Sequence, residues 1–367
     1  MGRETYPVMP IFMDLHRASD FNVPPTLEDI THLHVADLKV QQRLGVNIFQ
    51  YWINEQAGLV FCLMEGPDKQ SCLAVHRDSH GNLPCNIIEL QGSDYMTFMG
   101  DEFKPNEFDL VTRPDGSLDT GYRIILVADF ISITGDDTFS DNIHSIIEKK
   151  GGRYVNKPGF REMIVFTSSN TAIECASNIL KSATSLGSDT NEIRIGISAG
   201  APVTADRQDI FAEAIQLANR LCDLARNKQI IVSSLTRELT REPELRNYKD
   251  QKTIKLLMPE EEQFLNLLVE KVTPALSDGS LDIESLGKKI GVSRSGLYRK
   301  ITELTGYSAN HLIRELRMQK ALKLIRNKYG NIAQVSLEVG INNPSFFAKS
   351  FQDRFGIPPS AALKLYS

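Results

Sequence analysis

Five of the seven histidines in this chain, His16, His32, His34, His76 and His80, lie within its first 80 residues. His76 and His80 stand four residues apart, a spacing that on a helix turns both imidazoles to one face, within reach of a single ion. His34 is closely followed by Asp37 on another helical stretch, and His16 ends an apolar run that reads as a strand. Imidazole-rich sites with nitrogen and oxygen donors suit nickel, zinc or copper, and spacing does not separate these metals. The expected metal site is His16, His34, His76 and His80, with Asp37, Cys62 or Glu89 as completing ligands. Any one of these histidines alone reads more simply as a surface or satisfied core side chain, and Cys62, in mid-strand, as core. The clustering carries the metal reading.

A second set of residues, near the other end, is suited to nucleic acid. Residues 281–306 and 331–356 repeat one pattern: a short helix, a Gly-containing turn, and a second helix that opens on small polar residues and carries basic and aromatic ones. A helix-turn-helix places its second helix in the major groove, and a repeated unit addresses two groove segments about one turn of DNA apart. In the first unit Ser293 is the expected N-cap, and Arg294, Ser295, Tyr298 and Arg299 fall on one side of the helix while Leu297 and Ile301 face the core. Arg299 is the expected base reader, bidentate to guanine, with Ser295 and Tyr298 at base edges or a thymine methyl. Arg294 and Lys300 are expected on phosphate. In the second unit Asn343, Pro344, Ser345 and Lys349 line the exposed helix start, with Phe346, Phe347 and Phe351 expected mostly in the core. Arg314, Arg317, Lys320 and Lys323 ride on the helix between the units, as further DNA contacts or only a solvated face.

Charge supports this division. The chain carries −5 overall, but residues 264–367 hold 15 Lys and Arg against 8 Asp and Glu, a net +7, and the remainder is −12. A basic module on an acidic body is the footprint of a DNA reader joined to a separate sensing part.

The elements that must position these residues follow from apolar periodicity. Ahead of residue 93 the order is a strand ending at His16, a helix from Thr26 to Leu44, two strands (Asn47–Ile53, Leu59–Glu65) joined by a hairpin signal, a helix over Asp68–His80 and a strand at Ile87–Leu90. That βαββαβ order predicts a ferredoxin-like sandwich. Residues 94–120, rich in Asp, Gly and Pro, read as a linker or packed connector. From Tyr122 to Ser233 strands and helices alternate, predicting an α/β sandwich. The last hundred residues are all helical, so the fold class is α+β multidomain.

Three family resemblances rest on these segments. Gly291-Val-Ser-Arg-Ser-x-Leu-Tyr-Arg-Lys300, the linking helix Leu312-Ile-Arg-Glu-Leu-Arg-Met-Gln-Lys-Ala321, and Asn342-Asn-Pro-Ser-Phe-Phe-x-Lys-x-Phe-x-x-Arg-Phe-Gly-Ile-Pro-Pro359 resemble the paired helix-turn-helix domain of AraC/XylS-type transcription regulators. Ile341 replaces the family's more familiar Phe after the turn glycine and keeps an apolar anchor. Phe12-Met-Asp-Leu-His16, His34-x-Ala-Asp-Leu38, Tyr51-Trp-Ile-Asn-Glu-x-Ala-Gly-x-Val-Phe-Cys-Leu-Met-Glu-x-Pro-Asp68 and Val75-His-Arg-Asp-Ser-His-Gly81 resemble a small bacterial nickel-binding ferredoxin-like family. That likeness implies the fold and, less specifically, nickel; it does not say which residues ligate.

Val127-Ala-Asp-Phe-Ile-Ser-Ile-Thr134, Ile193-Arg-Ile-Gly-Ile-Ser-Ala-Gly200, Phe211-Ala-Glu-Ala-Ile-Gln-Leu-Ala-Asn-Arg-Leu221 and Gln229-Ile-Ile-Val-Ser-Ser234 resemble the class III nucleotidyl cyclase domain. Cyclisation needs two metal ions on two aspartates, and an Asn and an Arg to orient the ribose and stabilise charge. Asp129 matches the first aspartate and Arg220 the arginine. Phe160, or Arg161 with a slip of one, stands for the second aspartate, and Gln216 for the Asn. One lost carboxylate and a lost ribose amide argue against turnover and for a degenerate assembly or regulatory module.

The five cysteines show neither a disulfide framework nor a zinc pattern. No membrane-length apolar run and no signal-peptide core occur, which predicts a cytoplasmic protein without membrane contact. The expected division is a ferredoxin-like, metal-sensing domain over 1–93, a linker over 94–120, a degenerate cyclase-like domain over 121–250 and an AraC-type DNA-binding domain over 251–367. The expected function is a transcription regulator, not an enzyme, that binds double-stranded DNA as a homodimer and answers to nickel, another divalent transition metal, or a small molecule through the upstream domains. The competing readings are a nucleotidyl cyclase with a DNA-binding appendage and a metal-buffering protein.

Overall fold

A computed structural model describes residues 9–20, 26–91, 94–100, 104–131, 137–155, 161–185, 192–249, 252–281 and 283–366. The chain forms two compact units. Met1–Leu126, Ile147–Ala172 and Ser198–Gln216 make the first; Val127–Ile146, Ile173–Ile197 and Leu217–Ser367 make the second.

The first unit opens with β1 (Ile11–Arg17), α1 (Leu27–Val40), β2 (Asn47–Asn54), β3 (Leu59–Glu65), α2 (Lys69–Ser79) and β4 (Asn86–Leu90). The strands form one sheet in the order β2-β3-β1-β4, every neighbouring pair antiparallel. This is the ferredoxin-like sandwich expected from the βαββαβ order. Local signals set both helix starts. Thr26 and Asp29 cap each other's backbone N–H at the head of α1, at 3.2 and 2.8 Å, and the Asp68 carboxylate accepts the Ser71 N–H at 2.8 Å at the head of α2. Phe12, Ile30, Tyr51, Met64, Cys72, Val75 and Ile87 lie in the shared core. Alternation along β1 turns Asp14 and His16 to one face.

The described residues of 94–120 pack against the first unit's other elements and do not read as a free linker. They supply α3 (Asp94–Met99) and a small hairpin of β5 (Lys104–Pro105) and β6 (Val111–Thr112). Leu110 enters the ferredoxin-like core, and the Tyr51 N–H donates to the Asp109 carbonyl at 3.0 Å. Asp119 accepts from both the Trp52 indole (3.1 Å) and the buried Arg123 guanidinium (2.8 Å).

The alternating segment follows with β7 (Arg123–Ile131), α4 (Asp137–Lys149), β8 (Arg153–Tyr154), β9 (Arg161–Phe166), α5 (Ser169–Ser185), β10 (Glu192–Gly200), α6 (Ala212–Leu224), β11 (Gln229–Val232), α7 (Ser234–Glu238), α8 (Glu242–Lys249) and β12 (Ile254–Leu256). In the second unit β11 runs parallel to both β10 and β12. Gly196 is required there: an added Cβ would lie 2.1 Å from the Ala218 carbonyl oxygen, so only glycine lets α6 approach β10.

The C-terminal helices are α9 (Pro259–Val272), α10 (Ile283–Ile290), α11 (Arg294–Thr305), α12 (Ala309–Arg326), α13 (Ile332–Glu338), α14 (Pro344–Phe355) and α15 (Pro359–Leu365). α10–α11 and α13–α14 are the two expected helix-turn-helix units, and α12 links them. Leu297, Ile301 and Leu304 join one core with Leu265, Leu286 and Leu312. Phe347, Phe351 and Phe355 join another with Met318, Leu322 and Val335. α11 stops at Gly306, whose φ of +70° continues the chain in the left-handed region. No helix among the described residues is long and apolar enough to cross a membrane.

Candidate metal centre and nucleic-acid interface

Three elements of the first unit bring four histidines to one place. β1 supplies Asp14 and His16, α1 supplies His34 and Asp37 one turn apart, and α2 supplies His76 and, at its C-cap four residues on, His80. Two compact groups result, Asp14–His16–Cys62 and Asp37–His76–His80, each with its donor atoms within 4.8 Å of one another. His76 joins them: its Nε2 lies 2.8 Å from Asp14 and its Nδ1 3.1 Å from Asp37. His80 Nε2 lies 3.2 Å from Asp37, and His16 Nε2 3.4 Å from Asp14. His34, Tyr51 and Cys62 line a cavity of about 30 Å³ together with His16, Asp37, His76 and His80. That volume suits a single water-sized occupant. Glu89, expected as a completing ligand, is instead exposed and outside both groups. Asp14, which histidine counting missed, joins these groups; its two-residue spacing from His16 on a strand is the signal that finds it.

The electrostatics are those of buried anions needing a cation. Burial works against ionising Asp14, but the charge and hydrogen bonds of His16 and His76 hold its carboxyl well below the usual range. Asp37 is held low in the same way by His76, His80 and Ser79. Burial alone would lower the His76 pKa; donating to both Asp14 and Asp37 instead pushes it up to about 10. Without a metal, His76 is therefore an imidazolium clamped between two carboxylates. Burial, then Asp14 and Asp37, push the Cys62 thiol far up, so it stays protonated.

The residues fit a divalent transition metal on one further observation. His34 is buried at 4 % exposure, its Nε2 lies 3.0 Å from Asp109, and its Nδ1 is buried without a hydrogen-bond partner. A carboxylate on one ring nitrogen and an unused lone pair on the other is the usual state of a metal-ligating histidine. His16, His34, His76 and His80 with Asp14 and Asp37 are the residues that would hold the ion, and the ion would supply fixed positive charge between the two carboxylates.

At the other end, Ser293 caps α11 by accepting the Gly296 N–H at 3.1 Å. Arg294, Ser295, Arg299 and Lys300 are exposed, while Tyr298 is half-buried against the core. The Arg294 guanidinium lies 5.9 Å from the Tyr298 ring, and Lys300 Nζ 5.1 Å from the Phe264 ring on α9. On α14, Asn343, Pro344, Ser345 and Lys349 are exposed, and Asn343 spends its carboxamide oxygen on the Phe346 N–H as the N-cap, at 3.0 Å. Phe346 departs from the expected core position: it is 57 % exposed, because Phe347 and Phe351 already take the inward face. Arg317 and Lys320, two of the basic residues of the linking helix, are structural ties. Arg317 donates to the Leu276 and Asp278 carbonyls, and Lys320 to Glu338.

In the middle segment Asp129 is 7 % exposed and lies 3.9 Å from Arg326, the last residue of α12. Arg220 donates to Asn266 at 3.3 Å, and Gln216 accepts from Arg207 at 3.3 Å. Arg161 begins β9; Phe160, the other position considered for the second aspartate, lies outside the described residues.

Comparison with known proteins finds likenesses at both ends. Residues 286–364 match the family model described as "Helix-turn-helix domain", and residues 12–90 the one described as "Nickel responsive protein SCO4226-like". A protein named histidine kinase P4 from Formosa agariphila is 33% identical over 29% of this chain and 8% of its own length. The Msm operon regulatory protein of Streptococcus mutans is 33% identical over 25% of this chain and 33% of its own. The chain thus spans a third or less of these two relatives. A solved adenylate/guanylate cyclase/hydrolase from Silicibacter pomeroyi aligns at 28% identity over 32% of this chain and 79% of that one, with a TM-score of 0.27.

Proposed function

We propose that this chain is a cytoplasmic, homodimeric transcription regulator of the AraC type that reads double-stranded DNA with α11 and α14 and is governed by a metal held in its ferredoxin-like domain. The observation that carries the DNA reading is the pair of capped recognition helices, each with an exposed polar start and exposed basic side chains, inside a segment matching a helix-turn-helix family. Arg299 is the base reader, with Arg294, Ser295, Tyr298 and Lys300 beside it, and Asn343, Pro344, Ser345 and Lys349 form the second contact. The functional division we assign is 1–93 for sensing, 94–120 as connector, 121–250 for assembly and 251–367 for DNA.

The metal reading rests on the joined histidine–aspartate groups in a segment matching a nickel-responsive family. Nickel is the ion we assign. Ligands must be deprotonated to bind, so metal uptake releases the proton that His76 carries. A metal with differential affinity for two arrangements of the chain shifts the population able to span its site.

We assign no catalysis to the middle segment. A cyclase aspartate must be available to metal, and Asp129 is buried beside Arg326 of the DNA-reading module. Incubation with ATP or GTP and Mg²⁺ or Mn²⁺ tests this: we expect no cyclic nucleotide, and its formation would restore the enzyme reading. DNA binding is tested on selected operator DNA at fixed salt, with and without nickel; loss of sequence preference in the wild type would end the regulator reading.

A further inference from the structure

The segment that matches the nickel-responsive family ends at residue 90, yet the metal centre has a partner beyond it. Asp109 sits at the tip of the connector hairpin between β5 and β6. Its backbone is in the left-handed region, at φ +61°, a conformation Asp tolerates better than most side chains. Several bonds hold it there. The Asp109 N–H donates to the Asn106 carbonyl at 3.1 Å, its own carbonyl accepts the Tyr51 N–H at 3.0 Å, and Leu110 is buried in the ferredoxin-like core. The Asn106 carboxamide oxygen accepts the N–H groups of Phe108 and Leu110, which closes the tip. What this arrangement presents to α1 is one carboxylate oxygen, 3.0 Å from His34 Nε2.

We propose that Asp109 is a positioning residue for the metal centre: it holds His34 with its proton on Nε2 and its Nδ1 lone pair available to a divalent transition metal. The Tyr51 ring, with its centroid 4.5 Å from that of His34, fixes the imidazole from the side. A coordinated imidazole is a stronger N–H donor than a free one, so metal on Nδ1 tightens the Nε2–Asp109 bond. Through Asp109 it tightens the 104–112 hairpin that leads away from the sensing domain. The connector is then the first element outside the sensing domain to respond to the ion. This inference rests on the metal reading above and adds to it a residue, a tautomer and a direction of transmission.

The test uses the full chain with Ni²⁺, and with Zn²⁺ as a second probe, in the wild type, Asp109→Ala and Asp109→Asn. Asn keeps the size, an acceptor oxygen and the tolerance of positive φ, so it separates loss of charge from loss of fold. Titration calorimetry reads affinity, and hydrogen exchange reads protection of the amides of Tyr51 and Leu110. We expect metal to slow exchange at both amides in the wild type, and Asp109→Ala to weaken metal binding about 10–100-fold, the usual cost of removing a ligand's supporting partner. The exchange response should vanish in that variant. Asp109→Asn should fall between, with a native circular dichroism spectrum. Wild-type affinity and an unchanged exchange response in both variants would overturn the Asp109 assignment and leave the metal reading standing. No metal uptake by the wild type would overturn both.

Discussion

The Arg354 guanidinium, at the end of the second recognition helix, clasps the carboxylate of Glu315 on the linking helix, with Nη2 to Oε1 at 2.8 Å. Glu315 is 2 % exposed and also faces Arg194, 1 % exposed, at 3.3 Å, while Arg354 reaches on to Glu192 at 2.7 Å. Removing one partner from such a network leaves buried charge without compensation. We predict that Glu315→Ala destabilises the second unit by about 3–5 kcal/mol, because Arg194 stays behind unbalanced. Chemical denaturation of Glu315→Ala and of an exposed control, Glu303→Ala, against wild type checks this; a Glu315→Ala loss no larger than the control's would refute it.

The same carboxylate sets a pH dependence. Burial raises the Glu315 pKa, but Arg354 and then Arg194 outweigh it and hold it below its ordinary value of 4.5. A depressed folded-state pKa contributes stability that is present above 4.5 and lost as pH falls from there through the folded value. Acid unfolding of the wild type should therefore be steeper below pH 4.5 than that of Glu315→Gln, which has no carboxyl to protonate.

On DNA, Arg299→Ala should cost about 1–3 kcal/mol on the preferred sequence and flatten discrimination at one base. Lys349→Ala should weaken all sequences alike and lower the salt slope by about one. Footprinting and binding over a salt series separate the two behaviours, and identical profiles for both variants would contradict a base contact at Arg299 and a phosphate contact at Lys349.

Asn343 has a smaller, structural share. Its carboxamide is the N-cap of α14, so Asn343→Ala should cost about 1 kcal/mol of stability, and Asn343→Ser much less, since serine also caps. Thermal unfolding of the two variants reads the difference.

The pattern of the chain made the clustering of the histidines and the two helix-turn-helix units legible for a shared reason. Strand and helix periods place residues on a face, so local sequence alone groups His76 with His80, and Arg294 with Ser295 and Arg299. Asp109 was not legible, because it reaches His34 through a turn 75 residues away in sequence. Phe346 was misplaced because a run of aromatics looks uniformly apolar; helical geometry gives the inward face to Phe347 and Phe351. The Glu315 network was not legible either, since nothing local announces that Arg194 and Arg354 converge on it.

Metal at the histidine cluster is proposed to act on the DNA-reading helices. The most direct measurement is fluorescence anisotropy on selected operator DNA at one salt concentration, with and without nickel, for wild type and a His76→Ala/His80→Ala double variant. We predict that nickel changes wild-type affinity by at least about fivefold, the lower end of ordinary allosteric coupling. The double variant should bind DNA and ignore the metal. Equal wild-type affinity and footprint with and without nickel, under conditions where the protein has taken it up, would contradict the account.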